Sequence, residues 1–248
     1  MKHIIAFAIA KAFVGGVSAQ TDTTIGYIDK YEYKCDKNNA VYYTKLFRDG
    51  QLWRRKSFII QTDKIKYDYT FLDKDCKKVD GKVSEYNEDG ILKSQGVFIQ
   101  NKIISATYFS PEGKKVGYAE YDTSGKKITI QQGWDENGKE IIGYISTKDA
   151  EFAGKQAGWI KFLQRTLNAD VPNKNGAPVG KYSAMVGFFI ETDGSVSDIK
   201  ILEDPGYGTG NETLRVLRLS KGWSPAIENN KIVKRFYRQQ ITFQVSNY

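Results

Sequence analysis

The stretch FFIETDGSVSDIKIL, residues 188–202, with Glu203 directly after it, gathers four carboxylates: Glu191, Asp193, Asp198 and Glu203. Carboxylates this close could hold a Ca²⁺ ion, work as an acid/base pair, or line the polar side of a hairpin. A Ca²⁺ loop needs oxygen ligands at every second position and a bidentate Glu several residues on; here Ser195 and Ser197 hold those places. A catalytic pair needs a pocket, which a two-stranded turn does not supply. Asp193-Gly194 suits a tight turn because glycine accepts the positive φ such turns require. The acids are therefore expected on a hairpin, with Asp198 facing solvent.

Two further constellations call for chemistry. Gly206-Tyr-Gly208-Thr-Gly210 before a helical pattern could cradle a phosphate. It lacks the Lys-Ser/Thr of a P-loop and the spacing of G-x-G-x-x-G. The expectation is a glycine-rich lead into a helix with Leu214, Leu217 and Leu219 inward, ended by Lys221-Gly222. Cys35 and Cys76 are the two cysteines. In an exported chain an even count suggests a disulfide, which would close a loop of roughly 40 residues and contribute about 3–4 kcal/mol. The alternative is two unpaired strand residues. The sole histidine is His3, so the rest of the chain lacks the commonest general base and the residue that Ser-His-Asp, Cys-His and H-E-x-x-H sites require. With no nucleophile motif either, the expectation is a protein that is not an enzyme and takes no cofactor or metal.

The elements that would position these residues fall into three segments. Residues 1–19 combine Lys2, an apolar run from Ile4 and the small-residue ending Val17-Ser18-Ala19, the pattern of a secretory signal cleaved before Gln20; uncleaved, it would serve as a membrane anchor. Without Lys2 and Lys11 the remainder carries 35 basic and 29 acidic side chains, a net charge of +6. The bases are spread along the chain, which argues for solubility and attraction to anionic envelope surfaces rather than for nucleic-acid binding.

From about Asp22 to Ile145 an aromatic residue recurs four positions before a turn glycine: Tyr86 and Gly90, Phe109 and Gly113, Tyr121 and Gly125, Trp134 and Gly138. Segments such as KVGYAEY and KITIQQGW between them favour strands. A lone hairpin cannot bury its aromatic, so the units must pair in series. The expectation for residues 20–147 is an antiparallel β-meander whose aromatics form one face, and the unit resembles MORN-like hairpin repeats. The beat stops near Thr147. Asp149 to Asn168 reads as a helix with Trp159, Phe162, Leu163 and Leu167 along one core-packing stripe. A half-buried strand, YSAMVGFFI, leads into the acidic hairpin.

The tail GWSPAIENNKIVKRFYRQQITFQV completes the third segment, 148–248. Trp223-Ser-Pro225-Ala226, the Asn229-Asn230 turn and the final strand, taken with the acidic hairpin, resemble the C-terminal domain of TonB, the energy transducer of the Gram-negative envelope. The similarity covers about 149–245. It departs from the family at Asn230, where a Gly is usual, at Gln240, where a Pro is usual, and in lacking a proline-rich spacer. The fold class implied is α+β: an N-terminal meander of MORN-like repeats plus a C-terminal TonB-like domain of helix, β-hairpin, helix and final strand. TonB domains capture an extended segment of an outer-membrane transporter by adding it as a strand. Carried to this chain, Tyr237, Ile241, Phe243 and Val245 would face the helices, and Arg235, Arg238, Gln240, Thr242 and Gln244 would meet the partner. The expected function is that of a periplasmic TonB-like binding protein engaging a transporter segment; the alternative is an envelope scaffold acting through its repeats.

Overall fold

The computed structural model describes residues 23–31 and 33–246; the expected signal peptide, 1–19, lies outside the described residues. The first lobe is one antiparallel sheet of nine strands paired in chain order: β1 Thr24–Ile28, β2 Tyr42–Asp49, β3 Leu52–Ile59, β4 Ile65–Phe71, β5 Val79–Tyr86, β6 Leu92–Ile99, β7 Lys102–Phe109, β8 Lys115–Tyr121 and β9 Ile128–Gly133. The recurring glycines make the turns. Gly90, Gly113, Gly125 and Gly138 all sit at positive φ, and each donates its N–H to the carbonyl three residues back, at Asn87, Ser110, Asp122 and Asp135. The side chains of those four residues accept further amides within the same turn, the behaviour that makes Asn, Asp and Ser good turn starters.

The sheet has two unlike faces. Thr44, Ser57, Tyr67, Glu85, Ser94 and Tyr108 are successive cross-strand partners and so share one face. Lys45, Lys56, Asp68, Ser84, Gln95 and Thr107 form the row on the other, which is polar throughout. The aromatic face expected from the pre-turn residues is assembled differently. The ring contacts run from Tyr42 at the start of β2 across to Tyr67 and then along β4 through Tyr69 to Phe71 at its end, at 5.9–6.1 Å. Alternate residues of one strand share a face, so β4 lines up three rings by itself and only Tyr42 joins from another strand.

The second lobe begins with β10 Thr147–Lys148 and β11 Glu151–Phe152, followed by α1 Lys155–Thr166, α2 Val171–Lys174, β12 Gly180–Ile190, β13 Val196–Glu203, α3 Thr209–Leu219, β14 Trp223–Ser224, β15 Ala226–Glu228, β16 Lys231–Val233 and β17 Arg235–Val245. Its main sheet has the order β13-β12-β17; β10-β15-β16 and β11-β14 make two small ones. Taken together, the chain is mostly antiparallel sheet with few helices, a coarse α+β arrangement. The core is the helix-side face of the main sheet: Val186, Phe188 and Ile190 meet Trp159 and Leu217, and Ile241 and Phe243 meet Val216. Such side chains each contribute about 1.5–3 kcal/mol when withdrawn from water.

Two local expectations are corrected. The helix expected from Asp149 starts at Lys155, because Glu151 and Phe152 pair with β14 and Gly154 then reverses the chain at φ +74°. Leu219, expected inward on α3, is exposed; Thr209, Thr213, Val216 and Leu217 hold the buried stripe, since the hydroxyls of a helix can fold back onto its own carbonyls, as Thr213 does onto Thr209. The disulfide is also corrected. Cys35 and Cys76 are free thiols, Cys35 following the bridge that closes over β1 and Cys76 turning the chain at φ +58°. Burial raises the pKa of both, so neither is set up as a reactive thiolate.

The lobes meet at three places. Tyr144 lies over Gly117 and Gly133, where any Cβ would collide with its ring, and donates its hydroxyl to Asn229 at 2.8 Å. Lys93 bridges Glu85 and Glu228, and Arg235 ties Glu228 to Asp149. The segment around Asp29 and Tyr31 packs on the main sheet: Lys200 pairs with Asp29 at 3.0 Å and Tyr31 donates to the Asp198 carbonyl. Among the described residues no helix is long and apolar enough to cross a membrane.

Candidate strand-addition site

The acidic hairpin is the joint between β12 and β13. Glu191 N–H donates to the Ser195 carbonyl and Gly194 N–H to the Glu191 carbonyl. Every acid named at the outset bar Glu203 has a local partner. Glu191 pairs with Lys234 at 2.6 Å and accepts from Ser197, which together hold its carboxyl below the usual range. Asp193 caps the Ser195 amide. Asp198 is exposed, as expected, and pairs with Lys30 at 2.9 Å, which likewise lowers its pKa. The glycine-rich lead into α3 is filled from within: Asp204 Oδ1 accepts from the Gly206 and Gly210 amides and the Thr209 hydroxyl. A carboxylate of the chain itself thus stands where an anion would bind a helix N-terminus.

The hairpin matters instead for the direction of β17's amides. The Glu191–Ser195 pair aims Glu191's N–H and C=O at β13. Successive residues of a strand point their polar groups to opposite flanks, so Ile190, Phe188, Val186 and the even positions down to Gly180 point at β17. Their partners in an unbroken eleven-residue register are Arg235, Tyr237, Gln239, Ile241, Phe243 and Val245. The N–H and C=O groups of Phe236, Arg238, Gln240, Thr242 and Gln244 therefore point away from β12. Among the described residues no strand pairs on that flank.

Side chains alternate across the sheet on the same period. Ile241, Phe243 and Val245 are buried while Arg238, Gln240, Thr242 and Gln244 are exposed, as expected from the sequence. Thr242 shares a 2.8 Å hydroxyl contact with Ser183. Arg238 stacks on Tyr33 and Phe236 at 4.8 and 5.5 Å and donates to the Tyr31 carbonyl. Gln240 and Gln244 sit on the edge with neighbouring carbonyls capped locally, Gln239 Nε2 donating to the Gln240 carbonyl and Gln244 Nε2 to that of Val245. Arg235 is the exception among the expected contact residues. It is turned to the inter-lobe side, three-quarters buried and bound to Asp149, Glu228 and Thr147; an odd-numbered residue cannot share the outward face of its even-numbered neighbours. The first lobe touches this sheet on its face. Tyr31 and Tyr33 cross it, meeting Asp198 on β13, Met185 on β12 and Arg238 on β17.

Sequence reasoning missed what lies on the helix side of the same edge. A cavity of about 400 Å³ is walled by Phe152, Trp159, Phe188, Trp223, Tyr237 and Gln239. The Trp of the W-S-P-A turn was a signal for it, but Phe152 was hidden inside a run read as helix. Comparison with known proteins adds nothing to the geometry: no family model, curated protein or solved structure matches this chain.

Proposed function

We propose that this chain is an exported, periplasmic binding protein of TonB-like type, which engages an extended segment of an outer-membrane transporter by adding it as a strand to β17. The observation that carries the reading is the flank of β17, an eleven-residue strand that among the described residues pairs with β12 alone. A bare row of amides and carbonyls is a template for another strand. The order of helix, hairpin, helix, W-S-P-A turn and final strand supports the family resemblance that suggested the partner. The test is capture of transporter plug peptides by the full-length chain and by Thr242→Pro. Removing an edge-facing N–H in this way abolishes capture while leaving the fold intact; capture that survives the proline sinks the proposal.

A second reading rests on the polar face of the nine-stranded sheet, where Lys45 stands directly opposite Lys56. Asp68 pairs with Lys56 at 4.0 Å and Lys45 lies over the Tyr43 and Phe58 rings, a face of cations and rings that an anionic envelope partner would engage. On this reading Lys45→Glu with Lys56→Glu abolishes envelope association and Thr242→Pro leaves it unchanged.

A further inference from the structure

Strand addition at β17 would give main-chain affinity to any extended peptide, so selectivity has to come from side-chain pockets along the edge. The cavity beside Tyr237 and Gln239 has the right place for one. Phe188 on β12 and Tyr237 on β17 are direct partners in the ladder, and both wall the cavity. An incoming strand would extend that row by one position. Its side chain on the helix face would then fall next to Tyr237, where Phe152, Trp159 and Trp223 form the far wall. Those rings already contact one another at 5.1–5.5 Å, which gives the wall a fixed shape.

The walls also state the chemistry. Aromatic rings form the buried walls, and the exposed charged residues among its lining are Lys155 and Arg238, with the half-buried Glu151 and the exposed Gln156. A volume of about 400 Å³ lies within the range of roughly 300–1,000 Å³ typical of ligand clefts, enough for one large apolar side chain. We infer that the cavity is the specificity pocket of the strand-addition site, and that the peptide it selects carries a bulky apolar anchor (Phe, Trp, Leu or Ile) at the position flanking Tyr237. This rests on the reading of β17 as the docking edge. Gln239 gives the pocket a movable rim: its side chain caps the edge carbonyl of Gln240, and an arriving strand would take that carbonyl over.

The experiment uses random peptides displayed on phage, selected on the full-length chain and counter-selected on full-length Thr242→Pro. Peptides held by the first and lost by the second carry a bulky apolar residue at one fixed position, and replacing it with Ala weakens binding about tenfold, the expected effect of leaving such a side chain unburied. Gln239→Trp fills the cavity while its own N–H, which faces β12, stays in place. In that variant the tenfold gap closes, and the Ala peptides bind at least as tightly as before because the cap on the Gln240 carbonyl is also gone. If Gln239→Trp does not fold, Gln156→Trp plugs the cavity from the exposed start of α1. Binding of a Phe-anchored peptide also shifts the emission of Trp159 and Trp223. Proline-sensitive peptides that show no anchor, or a gap that persists in the plugged variants, overturn the pocket and leave strand addition standing. The absence of any proline-sensitive peptide overturns strand addition, and the pocket with it.

Discussion

The outer strands of the molecule are treated in opposite ways. The nine-stranded sheet guards one end of each of its edge strands. Over β1 the returning chain lays a bridge between Ile28 and Lys34 and a Cys35 to Tyr27 hydrogen bond. At β9 the segment 140–146 guards the Gly133 end, Ile141 N–H donating to the Gly133 carbonyl and Ser146 N–H to the Gln131 side chain, while residues 129–132 stay exposed. In the second lobe β13 is broken by a bulge where Asp198 sits at φ +50°, which kinks an edge out of use as a template. Among the described residues β17 has none of these devices: eleven residues, no register shift, no returning chain. Edge protection is a general need, so the longest strand edge left without such a device among the described residues is the informative one.

The strongest way to break that contrast is to ask whether the two flanks of β17 really differ. Phe243→Pro deletes an amide pointing at β12 and the Phe243 ring from the core. The lost ladder bond leaves a buried carbonyl unsatisfied and costs about 1–3 kcal/mol and the ring about 3–5 kcal/mol, so the second lobe should unfold in thermal melts. Thr242→Pro, one residue away, deletes an amide pointing outward. Proline is tolerated on the open side of an edge strand, and its melting temperature should stay within a few degrees of wild type. If the two prolines are equally disruptive, β17 has no open flank.

The protected edge can be opened in turn. Tyr144 is buried over the two glycines of β8 and β9 and anchors the covering segment to Asn229. Tyr144→Ala should cost about 2–4 kcal/mol, as large-to-small core changes do, and should also uncover β9. The expected readout is concentration-dependent self-association in light scattering on top of a lowered melting temperature. A destabilised but strictly monomeric variant would mean that the segment 140–146 is not an edge guard.

How far the contrast could be read from the sequence follows from how local its causes are. The turns were legible because Asn, Ser or Asp followed three residues later by Gly is a complete local instruction, and the strands of both lobes follow from alternation over a few residues. The burial pattern of β17 was legible for the same reason at Ile241, Phe243 and Val245. Arg235 was misassigned because its partners, Asp149 and Glu228, are distant in the chain, and the break between Phe152 and α1 was missed because β11 exists only through its pairing with β14. The guards on β1 and β9 and the aromatic cavity depend on where long-range packing brings segments together. No periodicity encodes that.

Support for β17 from behind should be acid-sensitive. α3 and the end of α1 back this strand, and Glu212 locks them together. It accepts from Asn168 N–H at 2.7 Å and from Arg215 at 2.6 and 2.8 Å. Burial alone would raise its pKa, but the Arg215 and Asn168 hydrogen bonds outweigh that and the folded value lies below the ordinary 4.5. A depressed carboxylate stabilises the fold above its unfolded pKa and loses that contribution as pH falls through the folded value. Glu212→Gln should therefore cost about 1–2 kcal/mol at neutral pH, toward the lower figure because Arg215 is half exposed. The cost should shrink toward zero below pH 4, read from urea midpoints across that range. A pH-independent cost would assign Glu212 a packing role only.

The smallest effect concerns the one polar cap that β17 does carry. Gln239 occupies the outward carbonyl of Gln240, so a docking strand has to exchange that hydrogen bond for its own. The net worth of such a bond is about 0.5–1.5 kcal/mol, and part of it is recovered when the displaced amide meets water. Gln239→Ala should thus tighten peptide capture two- to fivefold in titrations with the full-length chain, with no change in melting temperature, because the Gln239 main chain still pairs with Val186. A Gln239→Ala chain that binds no more tightly would show that docking leaves the Gln240 carbonyl alone. The added strand would then engage the flank through Thr242 and Gln244, at the far end from the aromatic cavity, and the cavity would lose its place beside the incoming side chain.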